Sequence, residues 1–269
     1  MLKLDLHTHS KYSDDSRVEP SDIVRLARER GLNGVAVTDH LSLRGGLEAR
    51  ALNRDPMFLV VPGIEYSTPV GHVVGLFLEE EPTVSLPGGA PSTAYPLDAV
   101  VAAIHEKGGI AVLAHPFEAR MNLPADLFRT SGLDALEGYN GRADSMRNPE
   151  ANRMAQDLAR AQGIPMVGGS DAHFHWEVAR AGCEILSLGP GASAEQVKEA
   201  VLQGLAVPFG IPAPRTASPL TSLVKMRKTG RYAKAPKALM RLTLAAIGPA
   251  GRWLENLILG PLDDTGSTR

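Results

Sequence analysis

The chain has one cysteine among its 269 residues, Cys183, which excludes an intramolecular disulfide framework and any Cys-rich zinc site. Metal ligands, if there are any, must therefore be nitrogen and oxygen donors. No uninterrupted apolar segment approaches the roughly 20 residues of a membrane span, and the start lacks a basic region followed by an apolar run, so a cytoplasmic location is the expectation. Charge of one sign is also missing. A formal net charge of −2 gives the whole chain no electrostatic footprint for polyanions. What is present is ordinary globular material, 43% hydrophobic and 22% charged, with 27 Gly and 20 Pro implying many tight loops. The length suits one large core closed as a single α/β domain.

Short apolar runs alternate with helical patterns. Leu2–Leu6, Gly34–Thr38, Phe58–Val61, His72–Leu78, Ile110–Ala114, Ala135–Tyr139 and Ile164–Val167 read as strands, and Ser21–Arg30, Leu97–Lys107 and Pro149–Gln162 as helices. Repeated strand-helix units predict a parallel sheet, and about seven such strands can close a barrel, with chemistry at the strands' C-terminal ends. The polar candidates fall at those ends. Residues 79–96, acidic and then rich in Pro, Gly and Ser, predict a surface loop flanking the mouth.

In Asp5-Leu-His-Thr-His-Ser, residues two apart on a strand share a face, so His7 and His9 project together. Taken alone, this pair is equally a set of polar strand-end residues or two ligands of one metal. Its companions change the balance: Asp14 within Tyr12-Ser-Asp-Asp, Thr38-Asp-His40, Gly63-Ile-Glu65, Gly71-His72, Ala114-His-Pro116 and Gly169-Ser-Asp-Ala-His173.

Together these segments resemble the motifs of the PHP (polymerase and histidinol phosphatase) family across roughly residues 1–212. The resemblance implies a distorted (β/α)7 barrel holding two or three divalent metals (Mn, Zn or Fe) and acting as a metal-dependent phosphoesterase. Carried over residue by residue, it implies that His7, His9, Glu65 and Asp171 hold one metal and that Glu65 bridges to a second held by His72 and His115. His40, His173 and Asp14 would hold a third. Some relatives have His in place of Asp14, and this harder oxygen donor favours Mn²⁺ or Fe²⁺ over Zn²⁺ there. About three divalent cations, offset by three carboxylates and a bridging hydroxide, leave roughly +2, which matches a phosphate dianion. The implied reaction is hydrolysis of a phosphomonoester or nucleotide-type substrate, short oligonucleotides included, with the metal-bridging hydroxide as nucleophile. The alternative is a non-catalytic PHP module serving as a binding or structural part.

Other polar residues admit two readings each. Asp39 precedes a ligand and is expected to orient a neighbouring His rather than bind metal. Arg120 and Arg142 are candidate phosphate clamps or ordinary loop arginines. Asn140 either lines the pocket or caps the following helix. His105 and His175 read as non-ligands. Beyond the resemblance, residues 213–269 form an extension in which positions 215–252 contain Lys225, Arg227, Lys228, Arg231, Lys234, Lys237 and Arg241 and no acidic residue. Its Leu-rich pattern is compatible with one or two amphipathic helices with a basic face, and three readings compete: docking on the barrel, contact with an anionic surface or partner, and a disordered tail.

Overall fold

The computed structural model describes residues 1–84, 94–118, 123–144 and 148–246. The order of elements is β1 Leu2–Asp5, α1 Pro20–Glu29, β2 Gly34–His40, α2 Arg44–Leu52, β3 Leu59–Thr68 and β4 Gly71–Leu76. Then come α3 Leu97–Glu106, β5 Ile110–Ala114, α4 Leu127–Ser131, β6 Ala135–Asn140, α5 Ala151–Gln162 and β7 Met166–Gly169. The chain continues with β8 Ala181–Ile185, α6 Ala194–Leu202, β9 Ala206–Gly210, α7 Ala217–Thr229 and α8 Ala235–Ala246.

The strands form one sheet in the order β7-β6-β5-β4-β3-β2-β1-β8-β9. The sheet also curls back on itself: Leu6 N–H donates to the Gly168 carbonyl at 3.2 Å, and Thr8 bridges Ala172 in parallel, so the end strand β7 meets β1 and seals a nearly closed α/β barrel. The expectation of a uniformly parallel sheet needs correction. β4 runs antiparallel to both β3 and β5, and β8 antiparallel to β1 and β9. Only Pro69 and Val70 separate β3 from β4, which permits a hairpin and not a helical crossover. The reversal matters for the site, because it brings the first residues of β4 to the rim where the parallel strands end.

Alternation along the strands divides the apolar residues into an inner and an outer set. Leu2, Leu4, Leu6, Ala36, Val61, Val74, Val112, Ala135, Val167 and Cys183 belong to one cluster drawn from β1 through β8, and Val197 and Val201 of α6 extend it. Val35, Val37 and Val60 face α1 and α2, and Ala111, Leu113 and Leu136 face α3 to α5. Each fully buried Leu of this kind contributes on the order of 2 kcal/mol. The helices start and stop for local reasons. Pro20 opens α1, Gly163 takes a left-handed turn (φ 67°) at the end of α5, and Ser193 with Gln196 forms a capping box on α6.

α2, α4, α6, β8 and β9 have no counterpart among the elements expected from the sequence. In α2 the pair Gly45-Gly46 reads as a helix breaker, yet a Cβ at Gly45 would stand 1.9 Å from Asp39 Oδ2 and one at Gly46 2.7 Å from Pro62 Cα. The glycines let the helix lie directly on β2 and β3. At the other end, α7 packs across the loop between β1 and α1, and α8 packs on α7 through Ala238, Leu244 and Ala245. The predicted mouth loop falls partly on residues 85–93, and the end of the Leu-rich segment on 247–269, both outside the described residues.

Candidate metal centre

Six of the eight histidines and three carboxylates converge on one rim of the barrel. His7 and His9 follow β1, His40 ends β2, Glu65 lies opposite it on β3, and His72 opens β4 opposite Ala114. His115 follows β5, and Asp171 and His173 follow β7. Two of these positions carry backbone strain: His115 (φ 31°) and Asp171 (φ 54°) both lie in the left-handed region, which side-chain-bearing residues seldom occupy.

Three groups of side chains have donor atoms within 4.8 Å of one another: His7, His9 and Asp171; Glu65, His72 and His115; and His9, Asp15, His40 and His173. Glu65 stands among all of them. Its Oε1 is 2.8 Å from His72 Nδ1 and 3.4 Å from His115 Nε2, and its Oε2 is 3.0 Å from His40 Nδ1, 3.3 Å from His9 Nε2 and 3.6 Å from His7 Nε2.

The third group corrects the sequence assignment. Asp15, not Asp14, faces His40 and His173, at 3.3 Å from each Nε2. Asp14 points the other way, to Lys225 Nζ at 2.9 Å. Paired hydroxyls fix this outcome: Ser13 Oγ donates to Asp39 Oδ1 and Ser16 Oγ to the His9 carbonyl, so the loop turns Asp15 inward between them.

Hydrogen bonds behind the rim decide which ring nitrogen each histidine presents. His7 Nδ1–H donates to Glu137 Oε1 at 2.8 Å, leaving Nε2 toward Glu65 and Asp171. His9 Nδ1–H donates to Ser13 Oγ at 3.0 Å, whose own hydrogen goes to Asp39. Asp39 also accepts from Ser10 N–H and Ser10 Oγ at 2.6 Å. Asp39 thus reaches His9 through Ser13 and stands outside the three groups. Glu137 was not singled out in the sequence. Its signal is a carboxylate on β6, two residues after inward-facing Ala135, and it also accepts from His115 N–H and Asn140 Nδ2 at 2.8 Å each. Asp5, likewise unassigned, accepts from the backbone N–H groups of His7, Ser170 and Ala179, and burial raises its pKa to about 6.

The other sequence candidates stand elsewhere. Asn140 is fully buried, where its side chain holds Glu137 and the Arg142 N–H rather than lining an opening. Arg142 lies behind His173, with Nε 3.0 Å from Glu177 Oε1, NH1 2.9 Å from His173 Nδ1 and NH2 donating to Thr221 Oγ1 at 2.5 Å. These contacts occupy the guanidinium that the sequence offers as a phosphate clamp. Arg120 lies outside the described residues. His105 pairs with Asp134 and His175 with Asp22, both away from the rim.

Electrostatics demand positive charge here. Burial opposes ionisation of Glu65 and Asp171, yet His72, His40 and His7 hold Glu65, and His7 and His9 hold Asp171, well below the usual carboxylate range. Conversely, burial works against charge on His7 and His40, but Glu137 and Asp171 around the first and Glu65 and Asp15 around the second hold both well above the ordinary imidazole value. His115, buried beside Glu65 and Glu118, is raised to about 9. His9 alone goes down, to about 3, from burial and the charges of His173 and His40. Glu65 Oε2 and Asp15 Oδ1 are buried without a hydrogen-bond partner among the described residues, and both belong to the groups. Buried carboxylate oxygens left in that state, facing imidazole nitrogens, suit cations.

The fold and site together define a nearly closed α/β barrel with His/carboxylate groups at one rim that could hold metal ions. The PHP domain model matches residues 5–114 and the PHP-associated model residues 149–205, and the chain belongs to the PHP family. An uncharacterized protein of Methanocaldococcus jannaschii is 32% identical over 169 residues, spanning 58% of this chain and 94% of its own. Among solved structures, a two-domain protein of Bacteroides vulgatus, described as containing a predicted PHP-like metal-dependent phosphoesterase, matches with a TM-score of 0.62 and 18% identity. That match covers 78% of this chain and 65% of the other, so this chain spans about two thirds of its length. PsfC of Pseudomonas syringae matches with a TM-score of 0.54 and 17% identity, over 85% of this chain and 98% of its own. At these identities the structures speak for the fold.

Proposed function

We propose that the protein hydrolyses a phosphate ester, a phosphomonoester or nucleotide-type substrate, using divalent metals held by the three side-chain groups. The observation that carries this reading is the gathering of six imidazoles with Glu65, Asp15 and Asp171 at one rim, five of the imidazoles lying within 3.6 Å of Glu65. His7, His9 and Asp171 would hold one ion, Glu65, His72 and His115 a second, and His9, Asp15, His40 and His173 a third. Such ions supply Lewis acidity toward phosphoryl oxygens and lower the pKa of water toward neutrality.

The chain's own groups prepare the site for that chemistry. Glu137 and the Asp39–Ser13 pair fix the tautomers of His7 and His9, so that their Nε2 lone pairs face the rim. Asp5 ties the β1 end to the loop after β7, holding His7 against Asp171. A net positive centre favours a phosphate dianion over a neutral ester.

The test is an activity screen of the metal-loaded protein over phosphomonoesters, nucleoside bisphosphates and short oligonucleotides. Asp171→Asn and His9→Ala should abolish turnover, a loss of at least about 100-fold, while unfolding cooperatively. His105→Ala should retain activity. Equal loss in all three variants would sink the assignment.

A further inference from the structure

α7 lies outside both family matches, which end at residues 114 and 205, yet it touches the rim at two places. Thr221, Lys225 and Lys228 are spaced four and three residues apart, which sets them on one face of the helix. At one end of that stripe, Thr221 Oγ1 accepts from Arg142, whose guanidinium also reaches His173. At the other, Lys225 takes Asp14, and the Lys228 ammonium donates to the carbonyls of Lys11 (2.8 Å), Ser13 and Ser16 (3.0 Å).

Those three carbonyls bracket Asp15 in the chain. An ammonium has three hydrogens, and here each has a backbone acceptor, so Lys228 draws the two sides of the loop together around one point. The loop has no helix or strand of its own between β1 and α1. Ser13 ties it to Asp39 of β2 and Ser16 to the His9 and His173 carbonyls, and Lys228 adds a tie from α7. Lys225 adds selection between neighbours, since an ion pair that keeps Asp14 outward favours the register with Asp15 inward.

We infer that Lys228 is a positioning residue for the third metal group. It holds the Asp15 loop so that His9, Asp15, His40 and His173 can bind an ion, and α7 is thereby part of the metal centre. The inference rests on the proposed metal-dependent reading and adds to it a dependence of one ion on a segment outside the matched domain. Lys228 touches neither the metal nor the substrate. Its effect passes through the carbonyls of the loop.

The experiment counts Mn²⁺ retained by the full chain after loading and gel filtration, and titrates the weakest-bound ion. The wild type should hold about three equivalents. Lys228→Met should hold about two, or bind the weakest ion at least about ten-fold less tightly, the size of effect expected for an outer support of a ligand. Lys228→Arg, which keeps donors for the carbonyls, should restore most of the difference. The melting temperature of the metal-free protein separates the alternatives: a merely structural lysine would lower it and leave the count of ions unchanged. Three equivalents of unchanged affinity in Lys228→Met would overturn the inference. Should that variant fail to fold, Lys228→Gln, which loses the charge and keeps two of the three donors, takes its place; weaker binding of the same ion supports the inference and unchanged binding overturns it. A wild type holding only two ions would overturn the inference and leave the phosphoesterase reading standing. A wild type that holds none and hydrolyses nothing would sink that reading itself.

Discussion

His7, His40 and His115 carry protons at neutral pH that a cation on the same nitrogens has to displace. Their pKa values are raised, that of His115 to about 9, by the carboxylates that would share the ion. For a raised imidazole the charged form persists until pH passes the folded value, so metal uptake releases protons below about pH 9 and tightens as pH rises toward it. His9, lowered to about 3, has no proton to lose. Calorimetric titration of the metal-free protein at pH 7 in two buffers of different ionisation enthalpy should show proton release, and affinity should fall between pH 8 and pH 6. Buffer-independent heats would count against this arrangement. At the same scale lies the one ligand position the sequence could not resolve. Asp14 and Asp15 are adjacent in a loop, where no period of two or 3.6 residues decides which side chain faces inward. The choice is made by Ser13, Ser16 and Lys225, the last more than 200 residues away in the chain. The candidate residues on or next to strands could be grouped from the sequence, because strand alternation and position at a strand end fix their direction. Glu137 and Asp5 were legible in principle by the same alternation, but a buried carboxylate that serves a histidine has no motif of its own.

Among the elements, the seven strands up to β7 were readable together with α1, α3 and α5, whereas α2, α4 and the direction of β4 were not. Direction depends on connection length, and the two residues between β3 and β4 were hidden because Tyr66, Ser67 and Thr68 extend the strand past its apolar core. β8 and β9 escaped for a different reason: Ala181-Gly-Cys has little of the bulk by which a strand is recognised, and Pro208 interrupts Val207 and Phe209. Their small residues are needed by the packing. A Cβ on Gly182 would stand 2.1 Å from the Leu4 carbonyl oxygen, and one on Gly168 2.1 Å from the Gly182 carbonyl oxygen, so β1, β7 and β8 approach more closely than any side chain allows. Backbone is on both sides of the contact and cannot swing away. Gly182→Ala should therefore cost about 3 kcal/mol, at the upper end for overpacking, and loosen the seam where β1 meets β7. Gly189→Ala, with nothing within 4 Å, should leave stability unchanged within about 0.5 kcal/mol. Chemical unfolding midpoints of the two variants measure the contrast, and equal midpoints would show that the seam tolerates separation.

For the whole molecule, the sequence suggested a division near residue 212, with a barrel before it and a dispensable basic extension after it. No helix among the described residues is long and apolar enough to cross a membrane. α7 faces the rim, whereas α8 packs on α7 and buries few large side chains, Leu244 with Ala238 and Ala245, a contribution on the order of 2–3 kcal/mol. We propose that the chain up to Gly230 is the catalytic unit and that the segment after it serves another purpose. Two truncations separate these roles. Removing residues 231–269 should keep the full metal count and turnover on a small chromogenic phosphate ester, because Thr221, Lys225 and Lys228 remain in place. Removing residues 215–269 should cost the third ion and reduce turnover, since the Asp15 loop loses its outer tie. Association with anionic lipid vesicles at low salt, to which each Lys or Arg near the surface adds on the order of 1 kcal/mol, should be lost already in the shorter truncation, because Arg231, Lys234, Lys237 and Arg241 go with it. Metal count and vesicle binding should thus fail at different cut points; if both fail together at residue 230, α8 and the residues after it belong to the metal centre as much as α7 does.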